Sequence, residues 1–390
     1  MGTKKNNILV FVDYYLPGYN AGGPLRSIAN LIDHLGDEFN FKIVSRDRDL
    51  GNDHPYSDIK VDAWQFHGKC EIYYCSPQSM SFQAINKIIS STTHDVLYLN
   101  SFFSPTFTIK PLILRHLGFI PQNKLILAPR GEFSKGALLL NYIKKRAYIY
   151  FSKALQLYSG VTWQASSVYE KKDIQRFFPS HPATVIIAPD LPSSLSAGSA
   201  SRMHKKLVGH LKLVFLSRIS PKKNLDGALR MLDGVNGSIT YNIFGPIEDE
   251  IYWEKCMNII DSLPDNIKVQ YLGAIANEQV AKVLAEHDLF FFPTYGENFG
   301  HVILEAFASG CPVLISDQTP WQDLKGKGVG WNLPLNRPDL FYEALHACLE
   351  MDEESLKSFS ERAKIYGRET IMNQVAVDQN RQLFNSDSNS

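Results

Sequence analysis

The chain alternates short, almost uninterrupted apolar runs with longer stretches in which apolar residues recur at helical spacing. In the first half the runs are ILVFV (8–12), FKIV (41–44), EIYY (71–74), VLYL (96–99), KLILA (124–128), VTWQ (161–164) and VIIA (185–188). In the second half they are LKLVFL (211–216), ITYNIF (239–244), IKVQYL (267–272), LFFFP (289–293) and PVLIS (312–316). A strand covered on one face alternates apolar and polar residues, whereas a strand covered on both faces is apolar throughout. Continuous runs separated by helices therefore predict parallel sheets between helical layers. Helices are predicted over 224–232, 248–262 and 277–286, and the tail from 338 is amphipathic and helical before a polar, frayed NSDSNS.

Between the two sets lies LPSSLSAGSASRMHKK (191–206), rich in Ser, Ala and Pro and without periodicity, which predicts a linker. No fixed short period repeats along the chain. The pattern predicts an α/β protein with two doubly wound, Rossmann-like domains, and 390 residues suit two domains of ordinary size. In such sheets ligands bind beyond the carboxyl ends of the strands, so a cleft between two facing domains is the expected site.

Forty Lys and Arg balance forty Asp and Glu. A neutral chain presents no general basic field, which argues against nucleic acid as a partner, and any anion site is local. The five cysteines (Cys70, Cys75, Cys256, Cys311, Cys348) show neither CxxC nor metal-ligand spacing, a pattern of reduced thiols in the cytoplasm. The one apolar run near the N-terminus is too short for a signal peptide or a membrane span. MGTKKN has Asn6 where a myristoylation signal wants Ser or Thr.

Candidate chemistry concentrates in YGENFGHVILEAFASGCPVLISD (295–317). Glu297 falls in the turn at the end of one buried strand. A short helix is expected to begin near Phe299–Gly300 and to stop at Gly310, with Glu305 about one and a half turns in. The backbone amides of Asn298, Phe299 and Gly300 then form a helix start, which favours an anion. Singly, Glu297 reads as a cap and Glu305 as a solvated surface acid. As a pair flanking a phosphate-sized anion site they suit a sugar nucleotide, the acids accepting from hydroxyls and the amides meeting the diphosphate. Upstream, LSRISPKKNLDGAL (216–229) places Arg218 and Lys223 just past a strand end. Alone this is a solvated basic turn; beside a cleft it clamps a diphosphate.

Glu-x7-Glu followed by AFASGCPVLISD resembles the signature of the retaining glycosyltransferases of family 4, which have the GT-B fold. LSRISPKKNLDGAL resembles that family's strand-then-Arg-x4-Lys element, FGPIEDE its Gly-Pro turn at Gly245, and YLGAIANEQV the element whose backbone, here at Ala274 and Ile275, cradles the base. PGYNAGGPLRS resembles the glycine-rich loop of the first domain, with Gly22 and Gly23 where the chain passes close to the donor. The resemblance implies that Glu297 holds hydroxyls of the transferred sugar, Glu305 those of the ribose, and Arg218 and Lys223 the leaving diphosphate. It is carried most specifically by the second domain. The implied layout is an N-terminal acceptor-binding domain (1–190), the linker, a C-terminal donor-binding domain (207–365), and a C-terminal helix and tail (366–390) returning to the first domain.

The first domain departs from the family pattern. Where many members place histidines, this chain has Asn100 and Arg130-Gly131-Glu132, resembling a bacterial subgroup with Pro-Arg-Gly there; Asn224 replaces the usual Gly after the lysine. Two readings stand for Arg130 and Glu132: contact with the reacting sugar or acceptor, together with Asn100, or an Arg–Glu pair that braces a loop. Asp47-Arg48-Asp49 matches the Asp-x-Asp metal motif of the other large glycosyltransferase fold. The two-domain layout argues against that fold, and the Arg–Lys clamp takes the metal's place, so neither metal nor cofactor is expected; the loop is instead expected to line the acceptor side.

The expected activity is retaining, metal-independent transfer of a hexose from a nucleotide-diphosphate sugar to a saccharide or lipid-linked saccharide, in bacterial cell-surface polysaccharide biosynthesis (O-antigen, capsule or exopolysaccharide). Residues 133–158 mix Leu, Tyr and Phe with Lys135, Lys144, Lys145, Arg146 and Lys153, which suits either an ordinary solvated helix or a helix lying on an anionic membrane surface. The expected location is cytoplasmic, with peripheral attachment to the inner face of the cell membrane. The competing readings are a non-hydrolysing sugar-nucleotide epimerase on the same architecture and a catalytically silent subunit that retains the donor pocket.

Overall fold

The computed structural model describes residues 5–139, 142–179, 185–193 and 205–385. They form two compact units, Met1–Leu191 with Gln374–Ser390 and Pro192–Asn373.

The first unit is built on β1 (Asn7–Val12), β2 (Asn40–Arg46), β3 (Trp64–His67), β4 (Cys70–Cys75), β5 (Val96–Asn100), β6 (Lys124–Ala128), β7 (Val161–Ala165) and β8 (Val185–Ile187), in the order β3-β4-β2-β1-β5-β6-β7-β8. Central β1 is flanked in parallel by β2 and β5, with Val10 opposite Ile43 on one side and Tyr98 on the other. Its apolar residues Ile8 to Val12 are all buried, as a strand covered on both faces requires. Helix α1 (Gly23–Leu35) buries Leu25, Ile28, Leu31, Ile32 and Leu35, one stripe at helical spacing. The edge strand β3 escaped the sequence pattern. It pairs antiparallel with β4, so the sheet is not wholly parallel, and its residues WQFH are half-buried or exposed and lack the apolar signature.

The last helix, α14 (Gln374–Phe384), completes this unit. Phe384 lies edge-on to Phe39, Phe41 and Tyr98, with ring centroids 5.8, 5.9 and 5.2 Å away.

The second unit holds β9 (His210–Leu216), β10 (Ser238–Phe244), β11 (Ile267–Tyr271), β12 (Leu289–Phe292), β13 (Val313–Ser316) and β14 (Gly330–Leu333), all parallel, in the order β11-β10-β9-β12-β13-β14. Phe290, Phe291 and Phe292 are fully buried with Leu213, Phe215 and Tyr241. Strand β14 was also unanticipated: it is four residues long, begins with Gly330 and carries Asn332. Around the sheet pack α7 (Leu225–Leu232), α8 (Glu250–Ile260), α9 (Asn277–Ala285), α10 (His301–Ala308), α12 (Pro338–Glu350) and α13 (Glu353–Ile371).

Two boundaries differ from expectation. The boundary at 366 falls inside α13, which packs on α10 as one helix, and the chain re-enters the first unit at Gln374. Of the linker expected over 191–206, residues 194–204 lie outside the described residues. Its ends belong to the units: Leu191 is buried in the first, and in the second the Lys206 ammonium donates to the carbonyls of Leu207 and His210.

Candidate functional site

In a parallel sheet every strand ends on the same edge, and the order of the second sheet reverses between β9 and β12. The loops leaving these two neighbours diverge, and the gap between them is the natural ligand position. The loop after β9 carries Arg218 and Lys223; the loop after β12 carries Glu297.

Those loops are tied together. The Lys223 ammonium donates to Glu297 Oε1 at 2.6 Å, with both side chains 12% exposed. Thr294 Oγ1 donates to the same carboxylate oxygen at 3.1 Å, and the Tyr295 amide donates to the Lys222 carbonyl at 2.9 Å. Burial alone would raise the Glu297 pKa. The Lys223 and Lys222 charges and the hydrogen bonds from Lys223 and Thr294 outweigh it and hold the carboxyl below the ordinary range, so it is ionised at neutral pH.

Asn224, where the resemblance implies a glycine, has a structural reason. It adopts the left-handed conformation (φ 57°), which Asn tolerates better than most residues. Its side-chain amide donates to the Pro293 carbonyl at 2.7 Å, a second tie between the two loops. A methyl group on Gly227 would fall 2.3 Å from Asn224 Oδ1, so Asn at 224 depends on Gly at 227.

Arg218 stands apart from Lys223's carboxylate partner: it pairs with Glu248 at 2.6 Å, with side chains 30% and 39% exposed. Glu248 follows β10, and sequence reasoning missed it as a partner. Gly245, also after β10, is confined by the Ser217 carbonyl; any Cβ there would approach that oxygen to 1.9 Å at φ 136°. Ala274 and Ile275 follow β11 at the sheet's edge, Ala274 exposed and Ile275 packed on the core. Arg218, Lys223, Gly245, Ala274, Ile275 and Glu297 thus all follow the carboxyl ends of four successive strands of one sheet. Helix α10 begins at His301, one to two residues later than expected. Gly300 precedes it in left-handed conformation (φ 78°), and Trp321 Nε1 anchors the turn by donating to the Phe299 carbonyl at 2.6 Å. Asn298 is half-buried in that turn, and Glu305 lies on α10, also half-buried.

In the first unit Gly22 (φ 71°, ψ −129°) ends a loop and Gly23 opens α1, with open space where a Cβ would stand on Gly23. Asp49 braces this loop: its Oδ2 accepts from the amides of Tyr19 at 2.8 Å and Asn20 at 3.0 Å. Asp47 accepts from Arg48. Asp47 and Asp49 are thus engaged by neighbouring protein groups, and among the described residues no three His, Cys, Asp or Glu are grouped to hold a metal ion.

The first unit corrects the expected pairing of Arg130 with Glu132: each is engaged by other groups. The Arg130 guanidinium, 5% exposed, pairs with Asp190 and donates to Asn100 Oδ1 at 2.7 Å and to the Tyr98 hydroxyl at 2.7 Å. Asn100 is itself buried. Glu132 accepts from the Ser101 hydroxyl at 2.8 Å and from the amides of Phe102 and Phe103 at 2.5 and 3.1 Å. Each therefore braces the ends of β5 and β6, where Ser101 (φ 117°) and Arg130 (φ 55°) hold conformations unusual for non-glycine residues. Burial raises the Glu132 pKa despite these hydrogen bonds. Asp13, just past β1, was not singled out from sequence. Its carboxyl is pushed up by burial against the opposing influence of Ser104 and Arg46, and it lies 3.4 Å from Arg46.

All five cysteines are buried, and none is in a disulfide. Among the described residues no helix is long and apolar enough to cross a membrane.

This architecture is that of the GT-B glycosyltransferases. The chain superposes on sucrose-phosphate synthase from Thermosynechococcus elongatus with a TM-score of 0.71 and 14% identity, covering 97% of this chain and 98% of that one. It superposes on Anabaena HepE, solved in complex with UDP and glucose, with a TM-score of 0.64 and 14% identity over 97% and 98% of the two chains. Residues 201–366, most of the second unit, match the family described as Glycosyl transferases group 1. In sequence, 119 residues are 24% identical to O-antigen chain mannosyltransferase B of Escherichia coli, spanning 29% of this chain and 30% of that relative's length.

Proposed function

We propose that the protein is a retaining, metal-independent glycosyltransferase that moves a hexose from a nucleotide-diphosphate sugar to a saccharide or lipid-linked saccharide of a bacterial surface polysaccharide. The observation that carries this reading is the meeting of Lys223 and Glu297 at the switch point of the second sheet. The match to group 1 and the O-antigen mannosyltransferase relative support it.

The barrier to such a transfer is departure of a diphosphate from a sugar that becomes positively charged at the anomeric carbon. Lys223 has three N–H donors and uses one on Glu297, so the same ammonium can hold a phosphate oxygen. Arg218 is partly exposed on Glu248, and a diphosphate carries more charge than that single carboxylate. Both cations then stabilise the charge that develops on the leaving group. Glu297, ionised and fixed by Lys223 and Thr294, accepts hydroxyls of the transferred sugar; Glu305 is assigned to the ribose. The acceptor oxygen bonds to the anomeric carbon on the face the diphosphate leaves, its proton passes to a phosphate oxygen, and nucleoside diphosphate departs.

The test is turnover of a panel of UDP- and GDP-linked hexoses by the wild-type protein and Glu297→Ala. Turnover should persist in EDTA. It should fall about 100-fold or more in the variant, while nucleoside-diphosphate affinity measured by calorimetry changes little. Equal turnover in the variant removes Glu297 from the chemistry. Interconversion of donor without acceptor makes the protein an epimerase, and no donor consumption at all makes it a silent subunit.

A further inference from the structure

Helix α5 (Tyr142–Ala154) buries only Ile149 and Ser152. At 3.6 residues per turn its outermost line, opposite that buried face, is Ile143, Ala147, Tyr150 and Ala154, all exposed. Ile143 is 81% and Tyr150 79% exposed, and Phe151 beside them is 59% exposed. A helix bathed in water places its charges along this line. Here they sit on the shoulders, Lys144 on one side and Arg146 with Lys153 on the other. Lys145 turns inward, its ammonium donating to the Ala137 carbonyl and lying 5.2 Å from the Phe103 ring. No acidic residue occurs between Glu132 and Glu170, in a chain whose charges cancel overall.

An apolar crest with aromatic residues between basic shoulders matches the profile of a charged interface over hydrocarbon: the crest enters the acyl boundary and the cations meet phosphate headgroups. We propose that α5 docks the protein on an anionic lipid surface, lying in the plane of the headgroups, with Ile143, Tyr150 and Phe151 inserted and Lys144, Arg146 and Lys153 on the phosphates. The inference deepens the proposed function by giving a lipid-linked acceptor a surface on which to be met, and it rests on that reading only for its purpose. A local run of positive charge without acids favours lipid phosphate over an uncharged apolar partner.

The test is flotation of the full chain with vesicles of phosphatidylglycerol and phosphatidylethanolamine, against vesicles of phosphatidylcholine alone. The wild-type protein should float with the anionic vesicles at low salt, less so at high salt, and not with the neutral ones. I143E/Y150E and K144E/R146E should each reduce the floated fraction about tenfold. I251E, at an equally exposed isoleucine on α8, should float as wild type. All these side chains are exposed, so melting temperatures should match, and donor hydrolysis in solution should be unchanged. Failure of the wild-type protein to float overturns the proposal, as does wild-type flotation by I143E/Y150E. A dimer that I143E/Y150E dissociates overturns it in favour of self-association. Flotation without donor turnover sinks the transferase reading and leaves the surface; turnover without flotation does the reverse.

Discussion

Lys223 and Glu297 are 74 residues apart and 2.6 Å from each other, and they join the loops that leave β9 and β12. Removing the lysine leaves a carboxylate in a site with little water, which costs about 3 kcal/mol or more. Because the folded carboxyl is held below its ordinary value of 4.5, its contribution is fully present above that value and is lost as pH falls through the lower folded one. Urea unfolding of wild type and Lys223→Met should therefore show a stability gap at pH 7 that closes below about pH 4.5. A gap of constant size across that window would mean that the pair is not what separates the two proteins.

Asn224 and Gly227 form a second dependent pair. Asn224→Gly keeps the left-handed backbone and loses the bond to the Pro293 carbonyl, at about 1 kcal/mol. Asn224→Ala loses the bond and also strains the backbone, at about 2–3 kcal/mol. Gly227→Ala collides with Asn224 in the wild-type background. The same change made on top of Asn224→Gly should cost at least 1 kcal/mol less, a coupling measurable by denaturant titration of the four proteins. Additive costs would show that the two residues do not share that space.

Most of the fold, and the places of Arg218, Lys223 and Glu297 in the second unit, were legible because both rest on local signals. Twelve apolar runs became β1, β2 and β4 to β13, since parallel strands covered on both faces carry nearly continuous apolar sequence. Strand β3, at an open edge, and the short β14 lack that signal. Arg218, Lys223 and Glu297 could be placed because each follows a recognisable strand. Their partners could not, because nothing near Glu248 or Thr294 in sequence points to a residue 30 or three positions away. In the first unit, closeness in sequence did not reveal the pairing. Arg130 and Glu132 are two apart and opposite in charge, yet Glu132 binds the turn after β5, and Asp190, 60 residues on, takes the arginine.

That last contact predicts a supporting role for Arg130. A guanidinium held by Asp190, Asn100 and Tyr98 is part of the interior, and Arg130→Met should destabilise the first unit by about 3–5 kcal/mol by stranding Asp190. Arg130→Lys should not restore it, since one ammonium cannot reproduce a planar fork that reaches three partners. Thermal melting of the three proteins checks this. A wild-type melting curve with lost turnover would return Arg130 to the chemistry.

Phe384 tests how independent the two cores are. Its ring fills the space between Phe39, Phe41 and Tyr98, so a residue at the far end of the chain closes the core of the first unit. Truncating it removes a buried aromatic from three edge-on contacts and leaves a cavity, at about 3–5 kcal/mol. None of that loss falls on the second unit, whose buried cluster shares no residue with it. Hydrogen exchange of Phe384→Ala should therefore show faster opening of β1, β2 and β5 while β9, β10 and β12 exchange as in the wild-type protein. Uniform acceleration across both sheets would mean that the units unfold as one body, and unchanged exchange in β1 would mean that α14 is dispensable to the sheet it covers.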